Sequence, residues 1–209
     1  MKIAIFGGTG RTGHHLVQQA LAGGYQVVVL ARTPSKLVIK HDSLKIVHGD
    51  VKDAGAVEKT IAGVDAVLSV LGPIGNEPTF EVSQGMANIL AAMTKQGVRR
   101  LIVSAGAGVA DPNDAPRLFN HVMNFLLKMM AKNVLADMSR AVELVRSSDL
   151  DWTVVRLPML TDGPKTGSLK VGYVGKGTGS RIARADIADF MLAQVKDKTY
   201  LHKAPVISN

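Results

Sequence analysis

This sequence predicts a single α/β domain, a doubly wound parallel sheet with a small C-terminal elaboration, and three observations carry that expectation. Short β-branched, nearly all-apolar runs alternate with longer segments of helical period; the first run enters a glycine-rich turn that opens a helix; and the chain has 209 residues. Strands covered by helices on both faces have no polar side to show, so their runs are continuously apolar. Repeated strand–helix–strand units close into a parallel sheet by right-handed crossovers. A chain of this length is one large domain, able to bury about 70% of the surface its unfolded form exposes.

The elements follow in order. Strands are expected over Lys2 to Phe6, Gln26 to Ala31, Leu44 to Val47, Ala66 to Val70, Arg100 to Ser104 and Trp152 to Arg156. Helical period marks Thr12 to Ala22, Ala54 to Ile61, Thr79 to Gln96, Arg117 to Lys132 and Leu135 to Ser147. Gly23-Gly24, Gly63 and Gly97 fall just past helical segments, where a left-handed C-terminal cap suits glycine. After Arg156 the rhythm breaks into a glycine-rich stretch, Gly163 to Gly179, with a short strand near Lys170 to Val174. A last helix from about Asp186 and a terminal strand near Pro205 to Ile207 complete the chain. Residues 1–209 thus form one domain, in which 157–209 add a substrate-side loop, helix and strand.

Composition narrows the function. Lys and Arg number 25 against 17 Asp and Glu, a formal charge of +8, with 46% hydrophobic residues and no cysteine. A high apolar fraction excludes a disordered chain. Without cysteine there is no disulfide, thiolate metal site or cysteine nucleophile, which fits a reducing, cytoplasmic setting. The N-terminus meets glycine too early for a signal peptide's apolar region, and no uncharged apolar run reaches the ~18 residues of a membrane span. The positive charge is spread along the chain without a recognition helix or aromatic stacking motif, which argues against nucleic acid and for a small anionic ligand.

The glycine turn is the main motif. Gly7-Gly8-Thr9-Gly10-Arg11-Thr12-Gly13 joins the first strand to the first helix. Read as Gly7-x-x-Gly10-x-x-Gly13, it supplies a tight turn, bare backbone for a pyrophosphate and close helix-on-strand packing, with the helix N-terminus aimed at the phosphates. The cofactor-binding set is therefore Gly7, Thr9, Gly10, Arg11, Thr12 and Gly13 here, Asp50 and Val51 after the third strand at the adenine, and Leu71 and Gly72 after the fourth. An NAD-binding chain usually places a carboxylate after the second strand; this one has Arg32, with Ser35 and Lys36 close behind. Arginine attracts a 2′-phosphate that a carboxylate would repel, so NADP(H) is the expected cofactor.

These residues resemble the atypical short-chain dehydrogenases with a single NAD(P)-binding Rossmann domain, and among them the biliverdin reductase B, or flavin reductase (NADPH), type. The likeness runs through Lys2 to Gly7, Thr9-Gly10, Thr12-Gly13, Gly49-Asp50-Val51, Asp65-Ala66-Val67, Asn88-Ile89 and Ala91-Ala92-Met93. It resumes at Gly175, Gly177, Ser180-Arg181-Ile182, Asp186 and Phe190-Met191-Leu192. It implies an NADPH-dependent reductase of planar, anionic, conjugated acceptors, with FMN as a substrate rather than a tightly bound cofactor. A monomer is implied first and a dimer second. It also places Pro158 and Met159 beside the cofactor. Where the family carries Ser after the fifth strand and His after the sixth, this chain has Gly106 and Met159; Ser104, two residues earlier, is the candidate catalytic and cofactor-contacting serine.

The Tyr-x-x-x-Lys pair of ordinary short-chain dehydrogenases is missing, since Tyr25, Tyr173 and Tyr200 have no Lys four residues on. Flavin reduction tolerates that loss, because hydride passes between stacked rings and water can supply the proton. Two segments are expected to face the acceptor. Arg117 to Met130 is rich in Met, Phe and Leu, with Phe119 and Met123 as candidate substrate contacts, against the alternative of a core-packing helix. Lys165 to Arg184 holds Lys165, Lys170, Lys176, Arg181 and Arg184 without an acid, a candidate electropositive rim in which Arg181 is the chosen substrate residue. The six histidines have no metal-ligand spacing. The second reading, from a different class of function, is a non-catalytic NADP(H)-binding redox sensor resembling the NmrA regulators, which fits the missing Ser, His and Tyr-x-x-x-Lys.

Overall fold

The structure is a computed structural model and describes residues 1–73, 75–116, 129 and 131–209. Its elements are β1 (Lys2–Phe6), α1 (Arg11–Ala22), β2 (Gln26–Ala31), β3 (Leu44–His48), α2 (Ala54–Ile61), β4 (Ala66–Ser69), α3 (Glu81–Gln96) and β5 (Arg100–Gly106). There follow α4 (Lys132–Arg146), β6 (Asp151–Leu157), β7 (Met159–Thr161), β8 (Lys170–Gly172), β9 (Arg181–Ala183), α5 (Arg184–Ala193) and β10 (Val206–Ser208). Eight strands form one sheet in the order β3-β2-β1-β4-β5-β6-β10-β8. The expected parallel sheet is present, with one departure: β8 runs antiparallel to β10 at the edge.

Strand alternation sorts the core into two layers. Ala4 and Phe6 of β1 join Val57, Met86, Ile89 and Val142 of α2, α3 and α4 on one face. Ile3 and Ile5 join Leu16, Val17, Ile187 and Met191 of α1 and α5 on the other. Strand order reverses between β1 and β4, and at such a switch point the two helical layers diverge to leave a crevice at the carboxyl ends of the strands.

Several boundaries differ from the sequence reading, for physical reasons. β7 and β9 are unannounced in the sequence: each is three residues long, too short for periodicity, and they exist by pairing with one another, Met159 opposite Arg181 and Thr161 opposite Ala183. β5 continues to Gly106 because β6 offers a partner at every position, down to Gly106 opposite Leu157, so Ser104 lies within the ladder rather than at its end. Gly23 caps α1 at φ −79°, and the left-handed residue is Gly24 at φ 76°. The expected helix over Arg117 to Lys132 falls mainly outside the described residues, as do Phe119 and Met123.

The helix starts are served differently. Asp53 caps α2 by accepting from the Gly55 and Ala56 amides at 2.9 and 3.2 Å. α3 has no side-chain cap of its own, and its preceding residue, Phe80, is left-handed at φ 51°. Asp137 of α4, almost fully buried, accepts instead from the amides of Val82 and Ser83 at 3.0 and 2.8 Å. That remote cap fixes the start of α3 against the crevice.

Candidate functional site

The crevice begins at the turn after β1. Gly7 has φ 83°, and a Cβ there would lie 2.7 Å from the Val70 carbonyl oxygen. A Cβ on Gly13 would run into the Gly7 carbonyl. Both positions therefore require glycine, one for its conformation and one for the approach of helix to strand. α1 starts after Gly10 with no side-chain cap and no acid in its first turn. An uncapped helix N-terminus carries partial positive charge and orphan amides, which suits a phosphate ligand.

Around this turn the fold gathers residues from the ends of four strands. Gly7, Thr9, Arg32, Asp50, Val51, Leu71 and Gly72, all picked out from the sequence, line one crevice. Phe6, at the end of β1, lines it too, as do Glu81 and Val82, which the sequence does not mark because only the packing of α3 brings its first turn there. Gly49 marks a close approach, since a Cβ would sit 2.5 Å from that of Ala56. Ser35 lies in a short 3-10 turn, Pro34–Lys36, and is exposed outside the crevice. Arg11 also points elsewhere: its guanidinium donates to Asp162 at 3.1 Å, and Asp162 in turn accepts from Arg184 at 2.6 Å.

Arg32 is not the lone cation the sequence suggests. Its guanidinium stands 3.8 Å from the Asp50 carboxylate and 3.6 Å from that of Glu81, and Lys52 reaches Glu81 at 3.2 Å.

Further along the same edge of the sheet come the ends of β5 and β6. Ser104 is nearly buried, with Val155 as its neighbour on β6. Gly106 faces the same side two residues on, roughly 7 Å further along the strand. Among the described residues, nothing lies within 4 Å of where a Cβ on Gly106 would stand. Pro158 follows β6 and leads into Met159, which is 55% exposed in β7 opposite Arg181. Arg181 is exposed, and among the described residues its side chain has no acid partner.

The acid-free rim expected over Lys165 to Arg184 needs correction. Lys165 pairs with Asp189 at 2.7 Å, Lys176 donates to the Asn113 carbonyl at 2.9 Å, and the Arg184 side chain is only 8% exposed against Asp162. The neutralising acids lie outside the segment in sequence and inside it in space. Lys165 and Lys176 are exposed but engaged, and Lys170 and Arg181 remain as the exposed cations with no side-chain partner among the described residues.

Two buried networks hold the loops that frame the site. Arg156, fully buried, donates to both oxygens of Asp114 at 2.8 and 2.7 Å and to the carbonyls of Val109 and Ala204. Burial pushes the Asp114 carboxyl up, but the bonds from Arg156 and from the Val174 and Asp111 amides outweigh it, and the net shift is downward. Asp186, at the start of α5, accepts from the Thr166 amide and hydroxyl, the Gly167 amide and the Asn209 side chain. Burial again opposes and the hydrogen bonds win, lowering its pKa. Among the described residues no cluster of three or more His, Asp or Glu side chains is arranged for a metal ion, and no helix is long and apolar enough to cross a membrane.

Comparison with known proteins agrees with this geometry. The sequence profile of the NAD(P)H-binding family matches residues 7–198. A (4-alkanoyl-5-oxo-2,5-dihydrofuran-3-yl)methyl phosphate reductase from Streptomyces griseus is 29% identical over 154 residues, 74% of this chain and 46% of that protein. The chain thus spans about half the length of that relative. A wide-type short-chain dehydrogenase/reductase from Veillonella parvula, solved in complex with NADP, superposes with a TM-score of 0.83 at 17% identity, covering 100% of this chain and 94% of the other. ChuY, an anaerobillin reductase from Escherichia coli O157:H7, superposes with a TM-score of 0.80 at 18% identity, covering 100% and 97%. Glycine turn, switch-point crevice and family match coincide on the same residues: the chain belongs to the NAD(P)H-binding family and has its Rossmann-like fold.

Proposed function

We propose that this protein is an NADPH-dependent reductase of planar, conjugated, anionic acceptors such as FMN, riboflavin or biliverdin, acting as a monomer or dimer. One observation carries the reading: the crevice with its uncapped helix lies at the carboxyl ends of the strands, and the residues that end β5 and follow β6 at that same edge are Gly106 and Met159, neither of which can give or take a proton. A dinucleotide bound there would supply hydride from its nicotinamide, and a stacked flavin-like ring can accept it with water providing the proton. The glycine turn would hold the pyrophosphate, Val51 and Leu71 would enclose the adenine, and Arg32 would meet the 2′-phosphate. Met159 would offer an adaptable apolar surface to a flat ring, and Arg181 beside it a cation for the acceptor's phosphate or carboxylate. The NADP-bound Veillonella neighbour supports the cofactor, and the reductase names of the Streptomyces relative and ChuY support the reaction class.

The test is NADPH oxidation with FMN, riboflavin and biliverdin in turn. Turnover above the uncatalysed rate with at least one acceptor is expected. Tight NADPH binding with no acceptor raising the rate would overturn the enzyme reading. Gly106 and Met159 also favour a second reading, a redox sensor of the NmrA type that binds NADP(H) without turnover. It requires a protein partner that distinguishes the oxidised from the reduced complex, and capture insensitive to both forms would exclude it.

A further inference from the structure

We propose that Glu81 sets the preference between NADPH and NADH by holding Arg32 in a charge-balanced cluster at the adenosine end of the crevice; this rests on the dinucleotide reading above. Arg32 Nη1 lies 3.6 Å from Glu81 Oε2 and 3.8 Å from Asp50 Oδ2, while Lys52 Nζ lies 3.2 Å from Glu81 Oε1. Two cations and two carboxylates cancel. Asp50 is engaged locally, accepting from the Lys52 amide at 2.8 Å. Glu81 has no such commitment, because the next two amides of α3 are taken by Asp137, and its carboxylate is left to the two cations.

A dinucleotide with a free 2′-hydroxyl meets this neutral cluster without conflict. One with a 2′-phosphate must draw Arg32 away from Glu81 and then bear that carboxylate's repulsion. Specificity is a difference of affinities, and Glu81 reduces the difference that Arg32 creates. Neutralising Glu81 leaves a net positive cluster. For a dianion about 7 Å away in screened solvent, the gain in preference for the phosphorylated ligand is about two- to threefold.

The experiment measures dissociation constants of NADPH, NADH, 2′,5′-ADP and 5′-AMP for the wild-type chain, Glu81→Gln, Lys52→Gln and Glu58→Gln. Glu58 pairs with Lys95 at 2.8 Å away from the crevice and reports the effect of net charge alone. The NADPH:NADH affinity ratio is expected to rise about two- to threefold in Glu81→Gln, with 2′,5′-ADP tightening and 5′-AMP unchanged, to fall in Lys52→Gln, and to stay constant in Glu58→Gln. A ratio unchanged or lowered in Glu81→Gln, or raised equally in Glu58→Gln, overturns the assignment. Failure of the dinucleotide reading shows differently: the wild-type chain then binds neither NADPH nor NADH, and this assignment falls with it.

Discussion

Arg156 and Asp114 form a two-pronged ion pair at the end of β6, with the guanidinium fully buried and both carboxylate oxygens engaged at 2.8 and 2.7 Å. The pair fastens the loop after β5 to the sheet. Beside it, Gly175 at φ 80° lies so close to the Ala115 carbonyl that no side chain would fit, and the Tyr173 ring lies 5.9 Å from the guanidinium. A buried pair adds little net stability over an apolar replacement, but losing one partner strands the other charge. Asp114→Ala is expected to destabilise the fold by about 3 kcal/mol or more in urea unfolding. A change below about 1 kcal/mol would mean that solvent reaches Arg156 more freely than its burial implies.

Acid should unfold the protein through identifiable groups. Asp114 and Asp186 both have lowered pKa values, since hydrogen bonds outweigh the opposing effect of burial. A carboxylate with a lowered folded pKa binds fewer protons folded than unfolded, so its contribution is complete above the ordinary value near 4 and disappears as pH falls through the folded value. Tm is expected to hold steady above about pH 5 and to drop below about pH 4. Asp186→Asn should lower Tm at neutral pH and flatten that acid limb; an unchanged limb would assign the acid sensitivity elsewhere.

Gly7→Ala tests the turn. Alanine at φ 83° costs about 1–2 kcal/mol in backbone strain, and its Cβ would press on the Val70 carbonyl. Relief of that strain displaces the amides of the turn, and dinucleotide affinity should fall by about five- to thirtyfold, on the scale where 1.4 kcal/mol is tenfold. Titration of NADPH against both proteins decides it.

Gly106→Ser should be accepted by the fold, because the added Cβ meets none of the described residues within 4 Å. Unfolding free energy is expected to stay within about 0.5 kcal/mol of wild type. If the acceptor sits over Gly106, the hydroxyl should alter turnover while leaving NADPH affinity unchanged. Equal effects on both would place Gly106 against the cofactor instead.

Arg32→Asp should weaken NADPH by about 1–3 kcal/mol, the scale of a lost charged hydrogen-bond pair, and NADH much less. It would also crowd three carboxylates, with Asp50 and Glu81, at one end of the crevice. Equal losses for the two cofactors would remove the 2′-phosphate assignment.

What the sequence determined by itself was the part written in local periodicity. The apolar runs of β1 and β2 and the helical period of α2 emerge with the expected bounds, and Gly7, Gly10 and Gly13 announce the crevice because a backbone requirement leaves its mark on residue type. Composition likewise assigned any redox chemistry to a bound group, since the chain has no thiol. Tertiary structure decided whatever depends on partners distant in sequence. β7 and β9 exist only as each other's neighbours. Asp137 caps a helix that begins more than fifty residues earlier. Arg184 is hidden and Lys165 paired, although their own segment holds no acid. Glu81 reaches Arg32 only because α3 packs beside the end of β2. Hydrophobic pattern and glycine act through the residue's own backbone and are legible one position at a time; charge acts through space, and its partners are known only once the chain has folded.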